Sequence, residues 1–488
     1  VTRTLRTVAF WIVAALLVAA HGIVLWQSIS ATRLWEDEAF NLTVPVNLLQ
    51  GLGYTSDGTL SGSELTPFDA RISTGPVVLL PIAAVLATGV DLVVGGRLVP
   101  AAYFVALLVA VGILGRRIGG RWGALVAVAV PLAFTAAALP SPIQGPADVL
   151  GEVPAAALLA WALVALRTRP WLAGLLVGLA IQAKYIALLS LPAFVVAVLL
   201  LQHGRPWMRR LRALIAPAIA LAVPTVLVEI FAFISLGPRG FVDHLRATRD
   251  FIRSGGQVAH TTFGEKLTTL ASSWYLPAAV VVAAVVLAIV VLIAGLVLRY
   301  RPSTDRFWAT LAAEPRAHLA AAAVLGFGAF VGWWSTAGHL PLWVRHPAPG
   351  ILAFAPVLVA ALIPAVRQLW RSGAAARAAS VVVSAALAGC LVVSGSSAGV
   401  TAAGRDGTEL AAQREQAAAV ASVEADWIAT HWGGLVAVVV MSGAHVALLD
   451  APPENIAGYP RLDLGGADLC GAAAPLAEAP GIVVCPAG

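Results

Sequence analysis

The side chains able to do chemistry in this 488-residue chain fall into four short segments. Glu36, Asp37 and Glu38 are consecutive, between Trp35 and Phe40. Adjacent carboxylates repel one another. Such a group at a membrane surface acts as a general base or a metal ligand, unless it only marks a solvated loop start. Asp148 and Glu152 are four residues apart, on one helix face if a helix has already begun. Acids gain from the dipole at a helix amino end whatever their task, but Glu152 opens an apolar run where an unpartnered carboxylate is costly. Lys184 and Lys266 are the only lysines; every other basic residue is Arg. Lys184, between two short apolar segments, either snorkels to the interface or faces a phosphate or carboxylate. Arg345 and His346 follow Trp343, as in an interfacial belt, although a guanidinium also matches phosphate oxygens in pairs.

These segments need elements to hold them, and composition restricts the choice. The chain is 59% apolar and 11% charged, against roughly 25% charged in soluble domains. It therefore reads as an all-α polytopic membrane protein. The apolar runs lie near 8–28, 97–115, 121–140, 152–166, 170–185, 187–202, 211–236, 275–298, 319–336, 347–365 and 378–398, about eleven spans. The first run lacks a small-residue cleavage site and reads as a retained anchor. A further run, 75–92, is either a twelfth span or a helix along the surface.

Charge decides between these. With eleven spans and the amino end inside, the cytoplasmic segments hold most of the Arg, opposed only by Asp305 and Glu314. A crossing at 75–92 would move Arg116, Arg117 and Arg121 outside and invert every later loop. Residues 75–92 are thus expected to lie on the outer surface, and the carboxyl tail outside. The Arg clusters between apolar runs report topology and not a nucleic-acid groove. Residues 29–96, 141–152, 237–274 and 337–346, with Lys184, then share the outer face. The 237–274 segment, with Arg239, His244, Arg246, Arg249, Arg253, His260 and Lys266, reads as amphipathic and mildly basic, an entrance for an anionic lipid. Residues 1–398 form the membrane domain and 399–488 a small extracytoplasmic α/β domain. In that tail 408–432 reads as helical, and Leu435–Val440 and Ile482–Val484 as short buried strands. Cys470 and Cys485 can pair if the tail meets an oxidising compartment.

In order and sidedness these features resemble the GT-C superfamily of polytopic glycosyltransferases with polyprenyl-phosphate sugar donors, such as protein mannosyltransferases and lipid A aminoarabinose transferases. The resemblance spans roughly residues 8–365. Trp35-Glu36-Asp37-Glu38-Ala39-Phe40 is similar to the family's acidic signature in the first loop; Gly151-Glu152-Val153-Pro154 and the Gly178–Lys184 stretch are also similar to family segments. The resemblance implies outer juxtamembrane helices, a bacterial cell (inner) membrane location, and inverting transfer of a sugar to an acceptor hydroxyl of a lipid, glycan or protein. Asp37 would be the general base, chosen over its acidic neighbours by register with the family pattern. Glu38, Asp148 and Glu152 would position acceptor or sugar hydroxyls, and Lys184, Arg345 and His346 would bind the donor. Asp37, Asp148 and Glu152 are the candidates for a divalent cation (Mg or Mn), which only some relatives use. Many relatives have Arg-Tyr where this chain has Arg345-His346. Two other readings exist: a lipid-linked sugar flippase or transporter, which prefers ionisable groups near the midplane, where Glu229 is the best candidate, and an inactive assembly subunit.

Overall fold

The computed structural model describes residues 2–58, 61–135, 143–254, 259–299, 314 and 316–487. The end of the 121–140 run and the 300–313 segment, with Arg301, Arg306 and Asp305, lie outside the described residues.

The chain opens with α1 (Thr2–Ser30) and α2 (Glu36–Leu49), then a hairpin of β1 (Thr55–Asp57) and β2 (Leu65–Pro67), and α3 (Pro76–Leu86). At 11 residues α3 is about 16 Å long, too short to cross, as expected of a surface helix. Asp91 then caps α4 (Leu92–Ala133), accepting a hydrogen bond from Val94 N at 3.0 Å.

α4 bends sharply at Gly120, whose φ of 71° suits a residue without a β-carbon. Gly115 and Gly123 meet across the bend, where a Cβ at Gly115 would lie 2.3 Å from Gly123 O. Residues eight apart never touch in a straight helix, so α4 is a hairpin of two spans. Next come α5 (Glu152–Ala165), α6 (Pro170–Ala183), a 3₁₀ turn (Tyr185–Ser190), α7 (Leu191–Leu201) and the short basic α8 (Trp207–Arg212). α9 (Ile215–Ser254) breaks at Gly237 before Pro238, leaving a span and then an amphipathic arm. The rest of the bundle is α10 (Phe263–Ala271), α11 (Ala278–Arg299), α12 (Ala317–Thr336), α13 (Ala348–Arg371) and α14 (Ala374–Ala403).

Among the described residues, seven helices are long and apolar enough to cross alone. The eleven spans expected from the sequence require the second arm of α4, the shorter α5 and α6, and the 3₁₀ turn continued by α7 (Tyr185–Leu201) to cross as well.

The bundle has two chemically distinct ends. At one, Arg side chains cap helix carbonyls: Arg117 donates to Val164 O at 2.8 Å and Arg316 to Ile118 O at 2.9 Å, while Arg121 lies over the Phe10 ring. The other end carries the first loop, the 143–151 turn, the break at Lys184, the 337–347 turn and the tail.

The tail is α/β, with α15 (Thr408–Ala421), β3 (Trp427–Thr430), α16 (Gly434–Ser442), β4 (His445–Leu448), α17 (Pro453–Ile456), β5 (Arg461–Leu464), β6 (Ala477–Ala479) and β7 (Ile482–Cys485). The sheet order is β4-β3-β5-β7-β6, with β3 parallel to β4 and β5, and β7 antiparallel to β5 and β6. Two expectations are corrected here. Leu435–Val440 is a buried helix and not a strand, because a short all-apolar run has no periodicity to separate the two. The helix expected over 408–432 stops at Ala421, and Trp427–Thr430 is a strand. Ile482–Val484 is strand as expected, and Cys470 and Cys485 are joined.

Candidate active site

α2 begins immediately at the acidic triplet, so Glu36, Asp37 and Glu38 occupy its first turn and point in different directions. Asp37, partly open to solvent, pairs with Arg345 of the 337–347 turn. The Arg345 guanidinium lies 4.7 Å from the Trp343 ring centre and 5.4 Å from that of Trp35, between two aromatic walls.

Glu38 points inward and is fully buried with Arg97. Arg97 Nε donates to Glu38 Oε1 at 3.0 Å and Nη2 to Oε2 at 2.8 Å, while Val149 N also donates to Oε1 at 3.0 Å. The same guanidinium donates to Thr32 O at 2.7 Å and Arg33 O at 2.9 Å. Glu38, expected to position substrate hydroxyls, is instead committed on both oxygens to the protein. It ties the first loop, α4 and the 143–151 turn together behind Asp37.

Asp148 and Glu152 do not share a helix face, because α5 starts at Glu152 and Asp148 lies in the preceding turn. Asp148 Oδ2 accepts a hydrogen bond from Gln144 N at 2.6 Å, while Oδ1 is buried with no partner among the described residues. Burial, then the nearby Glu38 carboxylate, hold its pKa well above the usual carboxylate range, favouring the neutral acid.

Glu152 faces Lys184, with Nζ 3.1 Å from Oε1. Lys184 sits in an extended break between α6 and the 3₁₀ turn, paired by a β-bridge with Thr74. Two glycines permit the close approach: a Cβ at Gly75 would lie 1.9 Å from Gln182 O, and one at Gly151 2.0 Å from Ala183 O. The first loop and the start of α5 therefore press directly on the strand-like break that presents Lys184.

His346 is held well below its ordinary pKa by burial and by Arg345, Lys184 and Lys266. That favours the neutral imidazole and leaves Arg345 as the cation of that turn. Its ring packs 5.4 Å from that of Trp343.

Reading the sequence alone missed two constellations. Arg97 was one more basic residue in an apolar run, and its pairing needs residues 59 positions away. The second lies beside the first loop. Arg71 pairs with Asp69 at 2.6 Å and with Glu229 of α9 at 3.1 Å, and His244 Nε2 is 3.0 Å from Asp69 Oδ2. Arg71 and His244 hold the Asp69 carboxyl far below its usual range. Glu229, the best midplane candidate for a transport path, is thus anchored to the loop end of the bundle. Lys266 is fully buried and donates to Trp334 O at 2.7 Å and Ala337 O at 2.6 Å, closing the carboxyl end of α12.

The acids do not converge into a metal centre. Asp37 and Glu152 are each neutralised by a cation, and no group of three or more His, Cys, Asp or Glu among the described residues is placed to hold an ion. The donor set does not fit a bound divalent cation.

No family model matches the chain, and no curated protein matches it. Solved structures do. ArnT from Cupriavidus metallidurans bound to undecaprenyl phosphate aligns over 96% of this chain and 97% of its own at a TM-score of 0.59 and 15% identity. Its apo state aligns over 99% and 98% at 0.58 and 13%. The chain shares the fold of ArnT. Within that fold Asp37, Arg345, Lys184 and Glu152 sit on the loops at one end of the bundle, with the tail domain against the first of them.

Proposed function

We propose that this protein is a membrane glycosyltransferase that moves a hexose or pentose from a polyprenyl-phosphate donor to an acceptor hydroxyl, with inversion. The observation that carries the reading is a solvent-reachable carboxylate, Asp37, paired with Arg345 at one end of the bundle, next to His346, which also feels the charge of Lys184. Undecaprenyl phosphate bound to ArnT supports the class of donor.

In this reaction the acceptor O–H gives its proton to Asp37 as its oxygen bonds to the anomeric carbon. The carbon–oxygen bond to phosphate breaks, and the polyprenyl phosphate leaves with the electron pair. Arg345 and Lys184 take up the charge that develops there. The Asp37–Arg345 pair links the two halves: a donor phosphate draws Arg345 away and releases the carboxylate. Asp148 and Glu152 back the site, Glu152 by orienting Lys184. In the bacterial cell (inner) membrane the amino end would be cytoplasmic and the site and tail extracytoplasmic. A flippase is the weaker alternative, since Glu229 is tied to Arg71 at the loop end.

The test is turnover of polyprenyl-phosphate sugars by purified protein. Asp37→Asn should lower transfer by about 10²–10⁴-fold while thermal unfolding stays near wild type. Equal activity of the variant would refute the role of Asp37.

A further inference from the structure

The tail domain is mounted on the segment that carries Asp37. Gln413 of α15 exchanges two hydrogen bonds with Leu34, at 2.8 and 2.7 Å, and Arg405 donates to Thr32 Oγ1 and Gln144 O, both at 3.0 Å. This fixes the loop between β3 and α16, residues 431–433, above the first turns of α2.

That loop carries Trp432. The tail has three large aromatic side chains from residue 408 onward: Trp427, Trp432 and Tyr459. Trp427 is covered by Tyr459, stacked at 5.7 Å, and by His445 at 4.8 Å. Trp432 turns out of the domain instead and meets Phe40 edge-to-face at 5.2 Å, yet is 40% exposed. Phe40 is three residues past Asp37 on α2, one turn along the same face. Gly433 and Gly434 keep the adjoining surface bare, and a Cβ at Gly434 would lie 3.6 Å from Arg33 Nη1. The Arg33 guanidinium has no ion pair among the described residues.

An open indole face, braced from beneath by the buried Phe40 ring, and an unengaged guanidinium thus border the Asp37 mouth on the tail side. We propose that Trp432 is an acceptor-binding residue that, held by Phe40 and with Arg33 beside it, forms a platform for the ring of a saccharide acceptor. An indole takes the C–H face of a sugar ring, and Arg33 supplies donors to its oxygens. The inference rests on the glycosyltransferase reading and narrows its acceptor to a glycan presented from the aqueous side.

The experiment uses the full chain with polyprenyl-phosphate sugars and three acceptors in parallel: water, ethanol, and a set of methyl glycosides (α-mannopyranoside, β-galactopyranoside, α-arabinofuranoside). Wild type should favour at least one glycoside over ethanol. Trp432→Ala should cut transfer to that glycoside about three- to tenfold through KM, leaving hydrolysis and ethanol transfer within about twofold, and Trp432→Phe should recover most of it. The platform is overturned if Trp432→Ala lowers all three alike, lowers none, or if wild type turns over donor without preferring a ring. Absence of any donor turnover by wild type removes the glycosyltransferase reading itself, and the platform with it.

Discussion

Asp37 and Glu38 are neighbours in sequence with opposite surroundings, and helical geometry is the reason. Successive residues on a helix differ by about 100° in direction, so one carboxylate faces the mouth and the other the bundle. The sequence shows three adjacent acids and not which points where; register with a family pattern had to choose Asp37. Arg97 was less legible still, since nothing local marks it as the partner of Glu38. Breaking a buried, hydrogen-bonded pair leaves an uncompensated charge, which costs about 3–5 kcal/mol. Arg97→Ala should therefore lower stability by that order, read as a fall in thermal midpoint in detergent. Arg97→Met with Glu38→Leu should recover much of it, because both charges are then gone. If the single variant unfolds like wild type, the pair is not what holds the first loop on α4.

At the scale of elements, glycine explains most of what periodicity could not. Apolar runs gave the spans, but the bend in α4 depends on Gly120, and the break presenting Lys184 depends on Gly75 and Gly151 accepting backbone at contact distance. The helix at 434–442 escaped because a fully buried run has no polar face to show its period.

The tail's seat is a further element-scale feature. Asp57 of β1 accepts hydrogen bonds from Val446 N at 3.0 Å and Asn47 Nδ2 at 2.9 Å, and lies 3.1 Å from His445 Nδ1. The Asp57 hydrogen bond, outweighing burial and helped by the Asp57 and Asp426 charges, raises the His445 pKa above 6.5. A raised folded-state pKa makes the contribution full below the unfolded value and lost as pH climbs through the folded one. Hydrogen exchange at 55–58 and 445–448 should therefore accelerate as pH rises from 6.5, after correction for intrinsic rates, and His445→Gln should abolish that added slope. An identical slope in the variant would remove His445 from the seat.

For the whole molecule, the distribution of charge and the packing agree on two ends. The Arg side chains that the positive-inside rule assigns to one side include those found capping helix carbonyls at one end, Arg117 and Arg316, and the acids gather with the tail at the other. The fold was legible because the bilayer demands long apolar runs and charge sorts the loops between them; the site was legible only as four segments, since their meeting depends on glycine contacts and on a buried guanidinium. Sidedness adds chemistry to geometry. The Cys470–Cys485 bond belongs to an oxidising compartment, so the tail and the Asp37 mouth should lie outside, where a glycan acceptor can reach them. Cysteine placed at Glu424, in the tail, should react with a membrane-impermeant maleimide on intact cells, and cysteine placed at His203, between α7 and α8, only after permeabilisation. The reverse pattern would put Asp37 in the cytoplasm, and the extracytoplasmic acceptor platform at Trp432 would fall with the orientation.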